Sequence, residues 1–106
     1  MKKLTALLVV GFAVLVLAQD KLTLTVKDSS STTGVVIVEA QLAGKSVDLQ
    51  CNEGSPDCKA LKHGSYIAIK LPKNHGMYDC QNVDVFDVSA NPETDQRLGE
   101  YCLNEK

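Results

Sequence analysis

The sequence predicts an all-β protein: a small disulfide-stapled β-sandwich or open barrel of about six strands, preceded by a signal-peptide helix. Three observations predict it. Short runs of alternating or β-branched residues recur between turn-rich segments. No stretch beyond residue 18 keeps a helical period. Four cysteines, Cys51, Cys58, Cys80 and Cys102, stand in a chain of 106 residues. A chain this short buries too little surface to be stable by a wide margin, so covalent staples matter.

The first segment, residues 1–18, has the three parts of an export signal. Lys2 and Lys3 are basic, residues 4–18 form an apolar run, and Ala18 offers a small side chain before the polar Gln19, Asp20 and Lys21. Cleavage after Ala18 leaves one domain, residues 19–106. The run is shorter than the roughly 20 apolar residues of a spanning helix. No second apolar run follows, so no membrane span is expected after cleavage. Gln19 stands where a lipoprotein would need cysteine.

The strands follow in order. Leu22, Leu24 and Val26 alternate with Thr23, Thr25 and Lys27, as on a half-buried strand. Residues 28–34, rich in Ser and Thr, read as a loop. Residues 34–42 are β-branched and make a second strand. Ala43, Gly44 and Lys45 turn the chain into a third, on which Val47, Leu49 and Cys51 share a face, so these two strands form a hairpin. Residues 59–64 read as one short helical turn with Leu61 as its core anchor. Residues 65–71 are a strand with Ile67, Ile69 and Leu71 on one face, Tyr66 and Ala68 on the other. A turn at 72–76 leads to a long strand over 77–88. A polar loop at 89–97 precedes the closing strand, 98–103.

An even number of cysteines in a small exported chain reads as a disulfide framework. Three connectivities are open to four cysteines; the sequential one is the expectation, because the turn-rich residues 52–57 bring Cys51 to Cys58, which leaves Cys80 to pair with Cys102. Chain entropy gives about 2.5 kcal/mol for the short loop and about 3.4 kcal/mol for the long one, so loss of Cys80–Cys102 is expected to hurt more. Zinc ligands usually stand two to four residues apart, and the nearest cysteines here are seven apart. Thiol–disulfide catalysts use a C-x-x-C motif near a helix N-terminus, and neither feature occurs.

Charge narrows the partners. With Lys2 and Lys3 removed, nine of the 11 basic residues face 13 acidic ones, a balance of −4. No basic stripe exists to neutralise phosphates, so nucleic acid is excluded as an expected partner. His63 and His75 each precede a glycine in turn-like segments, where a surface role fits better than a catalytic one. Asp79, Asp84 and Asp87, and Glu93 and Asp95, cluster loosely but form no calcium-loop pattern. No metal and no cofactor is expected. With Asn74 at a hairpin tip, Tyr66, Ala68, Tyr78 and Cys80 would share one face, and Tyr66 and Tyr78 are the candidate binding face for a protein or carbohydrate.

The segment from Cys51 to Tyr66 has the form C-x6-C-x2-L-x2-G-x-Y, ending on Leu61, Gly64 and Tyr66. It resembles a pattern in small exported bacterial proteins of uncharacterised function. Tyr78-Asp79-Cys80 and Tyr101-Cys102 fit the same likeness, which covers the C-terminal half of the chain. The resemblance implies a small β fold and assigns no activity. The expectation for function is a non-catalytic secreted or periplasmic binding or accessory domain. A small secreted inhibitor or effector presenting a rigid loop, at 51–58 or 89–97, comes second. An enzyme comes last, because a small stapled β domain offers faces and few deep clefts.

Overall fold

The computed structural model describes residues 21–73 and 75–106. The signal segment, residues 1–18, and the hairpin tip at Asn74 lie outside the described residues. Six antiparallel strands, β1 (Leu22–Thr32), β2 (Val35–Leu42), β3 (Lys45–Asn52), β4 (Gly64–Lys70), β5 (Gln81–Asp87) and β6 (Gly99–Glu105), close into a barrel in the order β1-β2-β3-β6-β5-β4. The expected all-β fold, strand number and two disulfides are all present. Among the described residues no helix is long and apolar enough to cross a membrane.

Alternation explains the closure. Leu24 and Val26 on β1, Val36, Val38 and Ala40 on β2, Val47 and Leu49 on β3, and Val83 and Val85 on β5 all point inward and are buried. Tyr101 on β6 is wholly buried among them. These side chains fill the interior of a barrel this narrow. Closure comes from β1 pairing with β4, Leu22 opposite Ala68 through Val26 opposite Gly64, which leaves neither sheet margin open there.

Residues 28–34 are not a loop. β1 continues to Thr32, with Ser29 opposite Val38 and Thr32 opposite Val35, after a bulge between Val26 and Asp28. The solvent-facing Ser and Thr side chains suit a strand margin, and only Thr33 and Gly34 turn, with φ of 49° and 81°. Ala43 and Gly44 make the second tight turn, with φ of 50° and 85°. Positive φ at both central residues matches the twist of the flanking strands.

Strands β3 and β4 stand opposite each other in the ring, so the chain between them must cross one mouth of the barrel. Residues 53–63 do so without a helix; the expected helical turn at 59–64 is extended, irregular chain. Leu61 is nonetheless its anchor, 6% exposed and packed into the core. Tyr101 Oη donates to the Lys59 carbonyl at 2.7 Å, the Glu100 amide donates to Asp57 O at 2.9 Å, and Ser29 Oγ donates to Leu61 O at 2.6 Å. These bonds take the crossing segment's carbonyls, which burial would otherwise leave unpaired. A Cβ on Gly99 would stand 2.7 Å from Asp57 O, so the plug can sit this close only over glycine. Cys51 belongs to the core and Cys58 packs against it.

The strand expected at 77–88 starts only at Gln81. The β4–β5 register runs from Tyr66 opposite Asp87 to Lys70 opposite Val83, five residues away from the hairpin that a tip at residue 74 would give. Residues 71–80 instead form a long connection. The closing strand is Gly99–Glu105, one residue later at its start and two later at its end than the sequence pattern marks.

Candidate functional site

The long connection returns along the outside of the barrel as a strap, residues 76–80. Two outward-facing strand residues hold it. Asn82 on β5 is 2% exposed. Its amide nitrogen lies 3.1 Å from His75 O, 2.7 Å from Tyr78 O and 3.1 Å from Cys80 O. Its Oδ1 accepts from the Tyr78 amide at 3.0 Å. Glu100 on β6 is 3% exposed, and its Oε2 accepts from the Met77 amide at 2.6 Å. The strap's backbone groups are thus satisfied by side chains instead of a ladder, which is why no strand forms here. Gly76, at φ 104°, lies so close to Asn82 and Glu100 that a Cβ would stand 2.5 Å from Asn82 Cγ. Tyr78 Oη accepts from the Asn52 amide at 3.1 Å, and the Cys80–Cys102 disulfide closes the strap onto β6.

Glu100 is held from its other side by charge. Arg97 reaches Glu100 Oε1 at 3.0 Å, Asp84 Oδ1 at 3.0 Å and Asp57 Oδ2 at 3.1 Å. Burial raises the Asp84 carboxyl above its ordinary range; Arg97 opposes this, and Glu100 and Asp57 add to it. Burial works to lower the Arg97 pKa, but the three carboxylates more than offset it, so the guanidinium stays charged. Inside the barrel, burial pushes the Tyr101 hydroxyl up to about 12, so it remains a donor to Lys59.

The strap divides two hollows on the barrel's outer surface. One, of about 230 Å³, is lined by Gln50, Cys51, Asn52 and Cys102 from the barrel, by Tyr78, Asp79 and Cys80 from the strap, and by Val35. The other, of about 380 Å³, is lined by Lys73, Tyr78, Asp79, Cys80 and Gln81. The first is the candidate site. Its lining includes Gln50, Asn52, Asp79 and Tyr78, and the Cys80–Cys102 disulfide ties the strap side of it to β6. Amides and a carboxylate recognise hydroxyl and amide groups by hydrogen bonding, and a ring offers an apolar face beside them.

The residues singled out from sequence fall in different places. All four cysteines pair as expected, Cys51 with Cys58 and Cys80 with Cys102. Tyr66 and Tyr78 do not form one face, because the β4–β5 register differs from the hairpin that would align them. Tyr66 is on β4, packs against the core and donates from Oη to Lys62 O at 2.7 Å. Tyr78 is in the strap, and it alone of the two lines the cleft. His63 and His75 are exposed and lie on separate segments. Asp79 lines both hollows, Asp84 faces Arg97, Asp87 binds Ser89, and Asp95 binds the Asn91 amide. Among the described residues no three His, Cys, Asp or Glu side chains are grouped to hold a metal ion. Sequence reasoning passed over Asn82, Glu100, Arg97, Gln50 and Asn52. The only available signal was polar character at outward strand positions, or for Arg97 in the loop before β6, which ordinary solvent-facing residues share.

Fold and site together define a class: a disulfide-bonded, closed antiparallel six-stranded barrel with a cleft on its outer wall. Set against family models, curated proteins and solved structures, the chain has no match, so no relative lends it a function.

Proposed function

We propose that this chain is a non-catalytic binding or accessory domain, secreted or periplasmic in a bacterium after removal of residues 1–18, and that the cleft beneath the strap is its recognition surface. One observation carries the reading. Asn82 and Glu100 are buried polar groups spent on fixing a strap that the barrel does not need for closure. Burying such groups is costly unless every bond is made. A wall held this rigidly beside a cleft is preorganised for a ligand, which lowers the entropy cost of binding. The two disulfides fit an oxidising compartment, where such bonds persist.

The test is a titration of 15N-labelled protein with a panel of small saccharides and short peptides, read in amide spectra. Shifts confined to Gln50, Asn52 and residues 78–81, and lost in Gln50→Ala, are the expected result. Shifts centred on the 89–97 loop, or on residues 52–57, would favour a loop-presenting inhibitor or effector instead.

A further inference from the structure

We propose that the Cys80–Cys102 disulfide is a selectively reducible bond, opened by a small dithiol while Cys51–Cys58 and the barrel remain intact. The two bonds occupy different environments. Cys51 is 2% exposed and part of the core cluster, and Cys58 packs against that cluster. Cys80 and Cys102 lie outside the core and, like Cys58, are partly buried. Cys80 lines both hollows, and Cys102 lines one of them, together with the buried Cys51. Thiol–disulfide exchange needs a thiolate to reach one sulfur and expel the other; attack on the partly buried Cys58 would have to leave Cys51 as a thiolate inside the core, which burial disfavours, whereas neither leaving group of Cys80–Cys102 lies in the core. Asp79, adjacent to Cys80, adds a carboxylate beside the point of entry and favours a dithiol whose only negative charge is the attacking thiolate over a reductant carrying carboxylates as well.

Reduction does not require the barrel to open. The strap is fixed independently of the sulfurs, through Asn82 to His75, Tyr78 and Cys80, through Glu100 to Met77, and through Asn52 to Tyr78. Attack of a dithiol's thiolate on Cys80 Sγ breaks the sulfur–sulfur bond, forms a mixed disulfide at Cys80 and leaves Cys102 as the thiolate. The reductant's second thiol then attacks its own sulfur in that mixed disulfide, releasing Cys80 as a thiolate. Both cysteines take up a proton. The dithiol gives up two electrons and two protons and leaves as a cyclic disulfide. The product carries two thiols facing the cleft, so its chemistry changes with redox state while the fold does not.

The experiment treats the folded, disulfide-intact protein with graded dithiothreitol, quenches with iodoacetamide and maps the labels by mass spectrometry, with 15N–1H spectra taken in parallel. Cys80 and Cys102 are expected to label at least about tenfold faster than Cys51 and Cys58, in keeping with their place outside the core. Spectral changes should stay within residues 76–82 and the neighbourhood of Cys102. Labelling of all four cysteines together at the unfolding rate, of Cys51 and Cys58 first, or of none without denaturant would each overturn the proposal. The Cys80→Ser/Cys102→Ser double variant checks the second half: it should unfold cooperatively with the Cys51–Cys58 bond in place, and a variant without native amide dispersion would refute it.

Discussion

The plug across the barrel mouth and the strap along its wall are both irregular segments pinned by a disulfide, yet they are held by opposite means. The plug is held from inside: Leu61 enters the core, Cys51 is part of it, and the buried Tyr101 ties down Lys59. The strap is held mostly from outside, by polar bonds from Asn82 and Glu100 and by a disulfide that lies outside the core, with Tyr78 alone of its residues resting against the core cluster. An apolar anchor shares in the cooperativity of the core, so losing it weakens every strand. A polar anchor on an outer face can fail locally while the ring of strands stays closed.

The largest expected effect tests the plug. Leu61→Ala removes a buried side chain and leaves a cavity at the mouth, costing about 2–5 kcal/mol. Urea unfolding should show a lower midpoint with an unchanged slope. Asn82→Ala is its counterpart on the strap. It strands the carbonyls of His75, Tyr78 and Cys80 and should cost about 1–3 kcal/mol. Hydrogen exchange should accelerate at residues 75–80 and hardly at all in β1–β3; equal acceleration throughout would erase the distinction between plug and strap.

Tyr101→Phe keeps the ring and removes only the bond to Lys59 O, so about 1–1.5 kcal/mol of stability should go, measured at the same denaturant slope. Asp84→Asn probes the charge cluster behind the strap. Because burial raises the Asp84 pKa in the folded state, its protonated form favours folding. That contribution is complete below the ordinary carboxyl range and is lost as pH rises through the raised value. The variant should therefore melt at or slightly above the wild-type temperature at neutral pH, with the difference vanishing as pH falls toward about 4. A clear drop at neutral pH would show that the bond to Arg97 dominates. The smallest effect lies far from both segments. Ala43 sits at φ 50° in a two-residue turn, and Ala43→Asn places a residue better suited to that conformation there. A gain of roughly 0.5 kcal/mol in thermal unfolding is expected, in proportion to the strain relieved.

Fold and framework were legible because they rest on periodicity and proximity. Val47, Leu49 and Cys51 alternate, and residues 52–57 turn, so β3 and the Cys51–Cys58 loop follow from neighbours in sequence. The strap was not legible because its anchors are distant. Tyr78, Cys80 and Val83 look like strand residues until Asn82 captures the backbone at His75, Tyr78 and Cys80 and delays β5 to Gln81. The same shift separated Tyr66 from Tyr78. Ser29 through Thr32 looked like a loop because Ser and Thr are common in turns, and only the partner residues on β2 make them a strand. Loop length alone ranks Cys80–Cys102 above Cys51–Cys58, but core burial of Cys51 adds a packing contribution that chain entropy omits.

The crossing between β3 and β4 has a consequence for the order in which the chain becomes safe. Residues up to Asn52 can pair as a three-stranded meander as soon as they are made, and Cys51 meets Cys58 six residues later. That meander has two open margins, β1 and β3; β1 gains β4, the next strand made, but β3 must wait for β6, the last. Until Cys102 and its neighbours arrive, the incomplete barrel keeps two free edges, β3 and the strand added last, open to any other nascent copy; insertion of β6 between β3 and β5 ends that hazard in a single step.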